Sequence, residues 1–346
     1  MKIGVIGTTG EGKATSSGQE IRTKILIDAL CDHYGPKNVY LMDSGLAKKS
    51  KAKAMMSLLK CLLTCKDIVL IVSRNGLHFF LPLLSMLQKY AGKRVYNNII
   101  GGNILELIEE NPKYPQYMSS FVVNWVQMTK IVEELKKIGV DNVELLPNSK
   151  PIQAKKDSEY TPQIPLKFCT FSRISKAKGI ENAISSIVEI NTKHDCITAI
   201  LDIYGVPDKD YKKDFDILMK NVPDYIQYRG LVKFDKSPEV LSQYFMLLFP
   251  TTFYGEGFPG TILDAYAAGL PVIASNWRFN SELIQENITG FTYQYDSQNA
   301  LTDAIEYAIC HAESIANMRK SCLAEAQKYT PEKIMPIIFR KIDQYN

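Results

Sequence analysis

The sequence predicts an α/β protein built from two similar domains in tandem. Three observations predict it. Short β-branched segments bounded by Gly, Asn or Pro alternate with longer amphipathic stretches, the pattern of βα units laid on a parallel sheet. At 346 residues the chain suits about two domains of ~150 residues each. A polar, proline-flanked run then interrupts the alternation, which restarts after it. The divisions are a first domain over 1–150, a linker over 151–165, a second domain over 166–330 and a closing segment over 331–346.

In the first domain, apolar runs place strands at 2–6, 38–42, 68–73, 93–97, 121–123 and 142–146. Amphipathic spacing places helices at 19–31, 52–65, 81–90 and 128–138. In the second, strands fall at 167–172, 198–204, 226–231, 246–250, 271–275 and 291–295. Helices fall at 179–190, 238–243, 261–268, 281–286, 300–309 and 315–329. The closing segment carries Ile334, Ile337, Ile338 and Ile342 at helical spacing, past the last strand, and is expected to pack across the domain junction.

Composition narrows the function. With 46% hydrophobic and 23% charged residues, the chain can bury a large core, which excludes a disordered or fibrous protein. No run reaches the ~18 apolar residues needed to span a bilayer. The N-terminus runs into a strand without the charged, apolar and cleavage regions of a leader, so a cytoplasmic protein is expected. The seven cysteines are odd in number and mostly in apolar runs, as buried thiols are. Cys61 and Cys65 share a helix face with no further Cys or His to complete a zinc site, and His33, His78, His194 and His311 form no metal motif. Neither a metal nor another cofactor is expected.

The net charge of +4 is unevenly distributed. Residues 1–150 hold 20 Lys and Arg against 13 Asp and Glu, a balance of +7, whereas 151–346 hold 21 against 24. The densest patch is Lys48, Lys49, Lys51, Lys53 and Lys60, interleaved with Leu46, Met55, Met56, Leu58 and Leu59. It reads either as a solvated helix face or as a surface for an anionic membrane. Arg, the better reader of nucleic acid, is scarce, so no nucleic-acid partner is expected.

Two loops could carry chemistry. The first, GTTGEGKA from Gly7 to Ala14, nearly spells the phosphate loop of NTPases. Ala14 lacks the hydroxyl that holds Mg²⁺, and Thr15 comes one residue too late. Gly18 and the Ser16–Ser17 pair before the first helix still allow ligand contact by backbone N–H groups. The second loop is the stronger signal: FPTTFYGEGFPGTILDAYAAGLPVIA over 249–274. A buried strand ends at Pro250, Gly255, Gly257 and Gly260 permit close backbone approach, and a short helix then points its positive end at the loop. Glu256 and Asp264 thus sit near the strand C-termini, where open α/β sheets bind ligands.

This segment resembles the E-x7-E motif of retaining GT-B glycosyltransferases, in particular the large family four that includes sucrose synthase and many capsule and lipopolysaccharide enzymes. The second acid here is Asp264 rather than Glu. FSRISKAKG over 171–179 is similar to the family's G-R-L-x-x-x-K-G element, with Ser172 where Gly is usual. NVELLPN over 142–148 looks like its interdomain N-V-x-x-I-P-N, Ser17-Gly18-Gln19 like its N-terminal glycine loop and Thr289-Gly290-Phe291 like its T-G-x turn. In the stretch 96–103 many relatives have a His close to the reacting sugar; this chain has none, and His78 is given no catalytic role.

The resemblance implies two Rossmann-like domains facing a central cleft, the first on the acceptor side and the second binding the nucleotide sugar, with the closing helix crossing back to the first. It implies transfer of a sugar, with retention of configuration and without metal, from a UDP- or GDP-sugar to a saccharide or lipid-linked acceptor in surface polysaccharide synthesis. Glu256 would be the catalytic residue, stabilising positive charge on the donor sugar. Gly257, Phe258 and Pro259 would shape the sugar pocket, Arg173 and Lys178 would meet the pyrophosphate, Gly18 would contact the substrate, and Asp264 would hold the ribose hydroxyls. A non-catalytic sugar-nucleotide-binding subunit, a sugar-nucleotide epimerase and a P-loop NTPase are the competing readings.

Overall fold

The computed structural model describes residues 2–10, 18–48, 50–152, 160–297 and 299–346. The chain forms two units: Met1–Lys150 with Gly255–Phe258 and Tyr329–Asn346, and Pro151–Tyr254 with Pro259–Lys328.

The first unit is built on strands β1 (Ile3–Gly7), β2 (Val39–Asp43), β3 (Asp67–Leu70), β4 (Arg94–Asn98), β5 (Val123–Val126) and β6 (Val143–Leu145). They form one sheet in the order β2-β1-β3-β4-β5-β6, parallel throughout. Every residue of β1, β3 and β5 is buried, as strands must be when helices shield both faces of a parallel sheet. The second unit carries β7 (Leu166–Phe171), β8 (Ala199–Tyr204), β9 (Ile226–Gly230), β10 (Met246–Phe249), β11 (Val272–Ser275) and β12 (Gly290–Tyr293). Their order is β12-β11-β10-β7-β8-β9, again parallel. All twelve strands lie where the β-branched runs predict them, within one or two residues at most ends.

The closing helix, Pro331–Asp343, starts with a proline whose missing N–H costs nothing in a first turn. Its Ile334, Met335, Ile338 and Ile342 are buried among Ile3, Val5, Leu26 and Leu30. The helix thus completes the core of the first unit, each buried side chain contributing about 1.5–3 kcal/mol.

Several helices depart from expectation. The helix expected at 81–90 begins at Arg74, so His78 lies inside it. Helices Ile104–Glu110, Tyr114–Ser119 and Lys212–Leu218 were not expected. The helix expected at 281–286 is one 3₁₀ turn, Asn280–Glu282. Here Tyr266 donates its hydroxyl to the Leu283 carbonyl and Thr289 Oγ1 accepts from the Gln285 N–H, so side chains take the backbone groups a helix would use. The helix expected at 315–329 is divided into Ala312–Asn317, Arg319–Ala326 and a 3₁₀ turn at Gln327–Tyr329. Cys61, Cys65, Cys169 and Cys322 are buried free thiols, whereas Cys196 and Cys310 are exposed. The phosphate-loop residues 11–17, Lys49 and the linker stretch 153–159 lie outside the described residues. No helix among the described residues is long and apolar enough to cross a membrane.

Candidate functional site

In the second sheet the chain lays down β7 centrally, moves outward through β8 and β9, then returns to the other side of β7 with β10. The loops leaving β7 and β10 therefore diverge and open a crevice at the strand C-termini, the place where doubly wound sheets take ligands. Arg173 and Lys178 lie on the first loop, and residues 250–259 form the second.

The two loops are joined by backbone. Thr252 N donates to the Ala177 carbonyl at 2.8 Å. Gly179 takes φ 68°, and a Cβ built on it would stand 2.2 Å from the Pro250 carbonyl oxygen. Only glycine fits so close an approach in the left-handed region. The 3₁₀ turn Lys176–Lys178 that precedes it directs Lys178 inward, where the residue is 7% exposed. Its Nζ lies 5.0 Å from the ring centre of Phe253 and 5.6 Å from that of Phe249. Arg173 approaches the same Phe253 ring at 5.6 Å while its Nη1 stands 3.4 Å from Asp208. Its side chain is 60% exposed.

Two cations thus converge on one aromatic ring, whose negative face offsets part of their mutual repulsion. Sequence reasoning did not single out Phe253; its only signal was an aromatic in a glycine-rich loop beside a conspicuous acid. The loop is fixed by Ser275, whose Oγ donates to the Thr251 carbonyl at 2.5 Å, and by Trp277, whose Nε1 donates to the Phe253 carbonyl at 3.2 Å.

Pro259 precedes helix Gly260–Ala267. Thr261 Oγ1 donates to the Phe171 carbonyl at 2.7 Å, tying the first turn of this helix to the end of β7. The unpaired N–H groups of that turn give the helix end a partial positive charge. Asp264, one turn further, is buried, at 7% exposed.

Glu256 is set by residues of the first unit. On one side the Gly255 carbonyl accepts from Gly102 N at 3.2 Å. On the other, a Cβ built on Gly257 would lie 2.8 Å from both the Gly101 carbonyl carbon and Gln127 Oε1, so no side chain fits. Gln127 Oε1 itself accepts from Gly101 N at 3.0 Å. The Phe258 carbonyl accepts from Asn148 Nδ2 at 3.2 Å, and the Phe258 ring meets Tyr329 edge-on at 4.9 Å. Half-buried Glu256 is therefore held between two clamped neighbours. The stretch without the family's His supplies the clamp through Gly101 and Gly102, and the interdomain-like motif supplies Asn148.

Gly18 opens helix Gly18–Tyr34, with no described atom within 4 Å of a Cβ built on it. His78 is exposed and its Nδ1 shares a hydrogen bond with the Tyr114 hydroxyl.

Residues 165–311 match the family model described as glycosyl transferases group 1. This span is similar to group 1 glycosyltransferases. It contains β7 to β12 and both loops of the crevice. Over 165 residues, 47% of this chain and 31% of the relative, the sequence is 27% identical to the GtfA subunit of the UDP-N-acetylglucosamine–peptide N-acetylglucosaminyltransferase of Streptococcus pneumoniae serotype 4. The match to that curated relative thus spans about a third of its length. The fold is similar to that of Anabaena HepE in complex with UDP and glucose, with a TM-score of 0.74, 15% identity and coverage of 99% of this chain and 100% of that one. It is also similar to sucrose-phosphate synthase from Thermosynechococcus elongatus, with a TM-score of 0.75, 14% identity and full coverage of both chains. The span that matches this family model accordingly lies in a two-domain α/β chain of the GT-B fold.

Proposed function

We propose that the chain is a retaining, metal-independent family-four glycosyltransferase that moves a sugar from a nucleotide-diphosphate sugar to a saccharide or lipid-linked saccharide in surface polysaccharide synthesis. The observation that carries this reading is the convergence of Arg173 and Lys178 on Phe253 at the β7–β10 switch point. Together with the N-terminus of helix Gly260–Ala267, they neutralise the departing diphosphate without a metal ion, and Gly18 contacts the substrate through its backbone. The bond between the anomeric carbon and the diphosphate oxygen breaks with its electron pair on the diphosphate. Glu256 stabilises the positive charge left on the sugar, and the acceptor hydroxyl attacks from the same face, its proton leaving with the diphosphate. Gly257, Phe258 and Pro259 wall the sugar pocket, and Asp264 holds the ribose hydroxyls. HepE's complex with UDP and the pneumococcal relative's UDP-linked name favour UDP over GDP.

The test is a calorimetric titration with UDP- and GDP-sugars followed by a transfer assay in EDTA. A UDP-sugar binds and transfer continues in EDTA. Activity lost to EDTA and restored by Mg²⁺ or Mn²⁺ makes the enzyme metal-dependent, and donor binding without turnover on any acceptor makes the chain a non-catalytic subunit. In the same titration, Lys178→Ala weakens UDP binding by about 2–3 kcal/mol, the range for a contact to a charged group. Arg173→Ala costs only about 1 kcal/mol, because the guanidinium is exposed and must leave Asp208. Unchanged affinity in both variants moves the pyrophosphate elsewhere.

The acceptor reading extends to a cytoplasmic membrane face. Helix Lys51–Thr64 contains no acid and turns Met55, Met56, Leu59 and Leu63 outward, Met56 at 64% and Leu63 at 82% exposure. This outer stripe lies at helical spacing and is ringed by Lys51, Lys53 and Lys60, the composition of a helix seated in an anionic interface. Each Lys adds about 1 kcal/mol near such a surface. The chain co-sediments with phosphatidylglycerol-rich vesicles, and Met56→Asp with Leu63→Asp releases it. Equal sedimentation with neutral vesicles, or none with either, removes membrane attachment and leaves the transfer reading intact.

A further inference from the structure

Arg22 lies in the second turn of helix Gly18–Tyr34. The N-terminal end of that helix meets the C-terminal edge of the first sheet, since Gln19 Nε2 donates to the Ile71 carbonyl at 3.3 Å, just beyond β3, and Arg22 Nη2 reaches Asn98 Oδ1 at the end of β4. The Asn98 contact is 3.5 Å, at the limit of a hydrogen bond. Nη1 is shut off from solvent and has no partner among the described residues. No carboxylate pairs with the guanidinium among those residues, and burial alone draws it down to about 10. The hydroxyl of Thr9, just past the end of β1, is likewise buried without a partner.

Three features disfavour a cation at this position. The guanidinium is largely out of water, it has no counter-charge among the described residues, and it stands near the positive end of a helix, where cations are repelled. All three are relieved at once by an anion. The residue as a whole keeps partial exposure, and a planar guanidinium fork matches the geometry of an oxyanion.

We infer that Arg22, with Asn98 beside it, is the anion-reading element of the acceptor site, taking a phosphate or carboxylate carried by the acceptor. The inference rests on the transfer reading, in which Arg173 and Lys178 take the phosphates of the donor and the first unit holds the acceptor. The balance of +7 over residues 1–150 agrees with an anionic acceptor.

The test uses the full chain saturated with UDP and titrated calorimetrically with inorganic phosphate, sodium glucuronate and glucose. Phosphate or glucuronate binds the wild type, glucose does not, and Arg22→Gln weakens the anion at least tenfold while UDP affinity stays within twofold. Preference for phosphate over glucuronate identifies a phosphate-bearing acceptor, and the reverse a uronate. Arg22→Met, which removes the charge but keeps the apolar stem, melts at or above the wild-type temperature without anion. The inference is overturned if neither anion binds, if both proteins bind the anions equally, if Arg22→Gln loses UDP tenfold, or if Arg22→Met melts lower. Arg22-dependent anion binding in a chain that transfers no sugar strikes the transfer reading alone.

Discussion

Glu256→Gln lowers the rate of sugar transfer by roughly 10²–10³-fold or more, the loss expected when a preorganised charge is removed from a reacting centre, while UDP affinity stays within a few fold. The substitution keeps the shape of the side chain and deletes its charge. The backbone around it is held independently of that charge, by Gly102 on Gly255, by the tight fit of Gly257 against Gly101 and Gln127, and by Asn148 on Phe258. The variant therefore folds with the loop in place, and what it lacks is the carboxylate that the proposed reaction places at the sugar. A proportional fall in kcat and kcat/KM is the pattern of an interaction made only in the transition state. An unchanged kcat removes Glu256 from the reacting centre, and a matching loss of UDP affinity makes it a support of the nucleotide site.

The strands and the order of the loops were legible because a buried parallel strand leaves a compact mark: Ile3, Val5 and Ile6, or Met246 to Phe249, read as apolar runs closed by Gly or Pro. Short helices left none. Ile104–Glu110 buries only Ile104 and Leu107, too few to establish a period. Lys178 was legible as a charge in a motif, but its burial between Phe249 and Phe253 was not, since aromatic residues some 70 positions on carry no local pattern. The clamp on Glu256 was hidden for the same reason: Gly101, Gln127 and Asn148 come from three separate strand ends that only the first sheet brings together. Arg22 shows the limit most sharply. A basic residue in an amphipathic helix reads as a solvated one, and the absence of a partner is a property of the folded surroundings.

Gly179→Ala destabilises the chain by roughly 2–4 kcal/mol, toward the upper end for single substitutions, and lowers UDP affinity with it. The left-handed backbone alone costs an alanine roughly 1–2 kcal/mol. The rest comes from the Pro250 carbonyl, 2.2 Å from the new Cβ, which must withdraw together with the start of the loop after β10. That movement stretches the Thr252–Ala177 hydrogen bond and draws Phe253 away from Lys178. Gly230→Ala separates the two contributions. Gly230 has φ 76° at the end of β9 in the same sheet, yet nothing lies within 4 Å of its Cβ position. It should cost about 1 kcal/mol by the backbone term alone, with UDP binding intact. Urea unfolding midpoints and UDP calorimetry on both variants decide the matter: equal destabilisation shows that Gly179 serves only its own turn, whereas a larger loss at Gly179 accompanied by weaker UDP binding ties the glycine to the joining of the loop that carries Arg173 and Lys178 with the loop that carries Phe253.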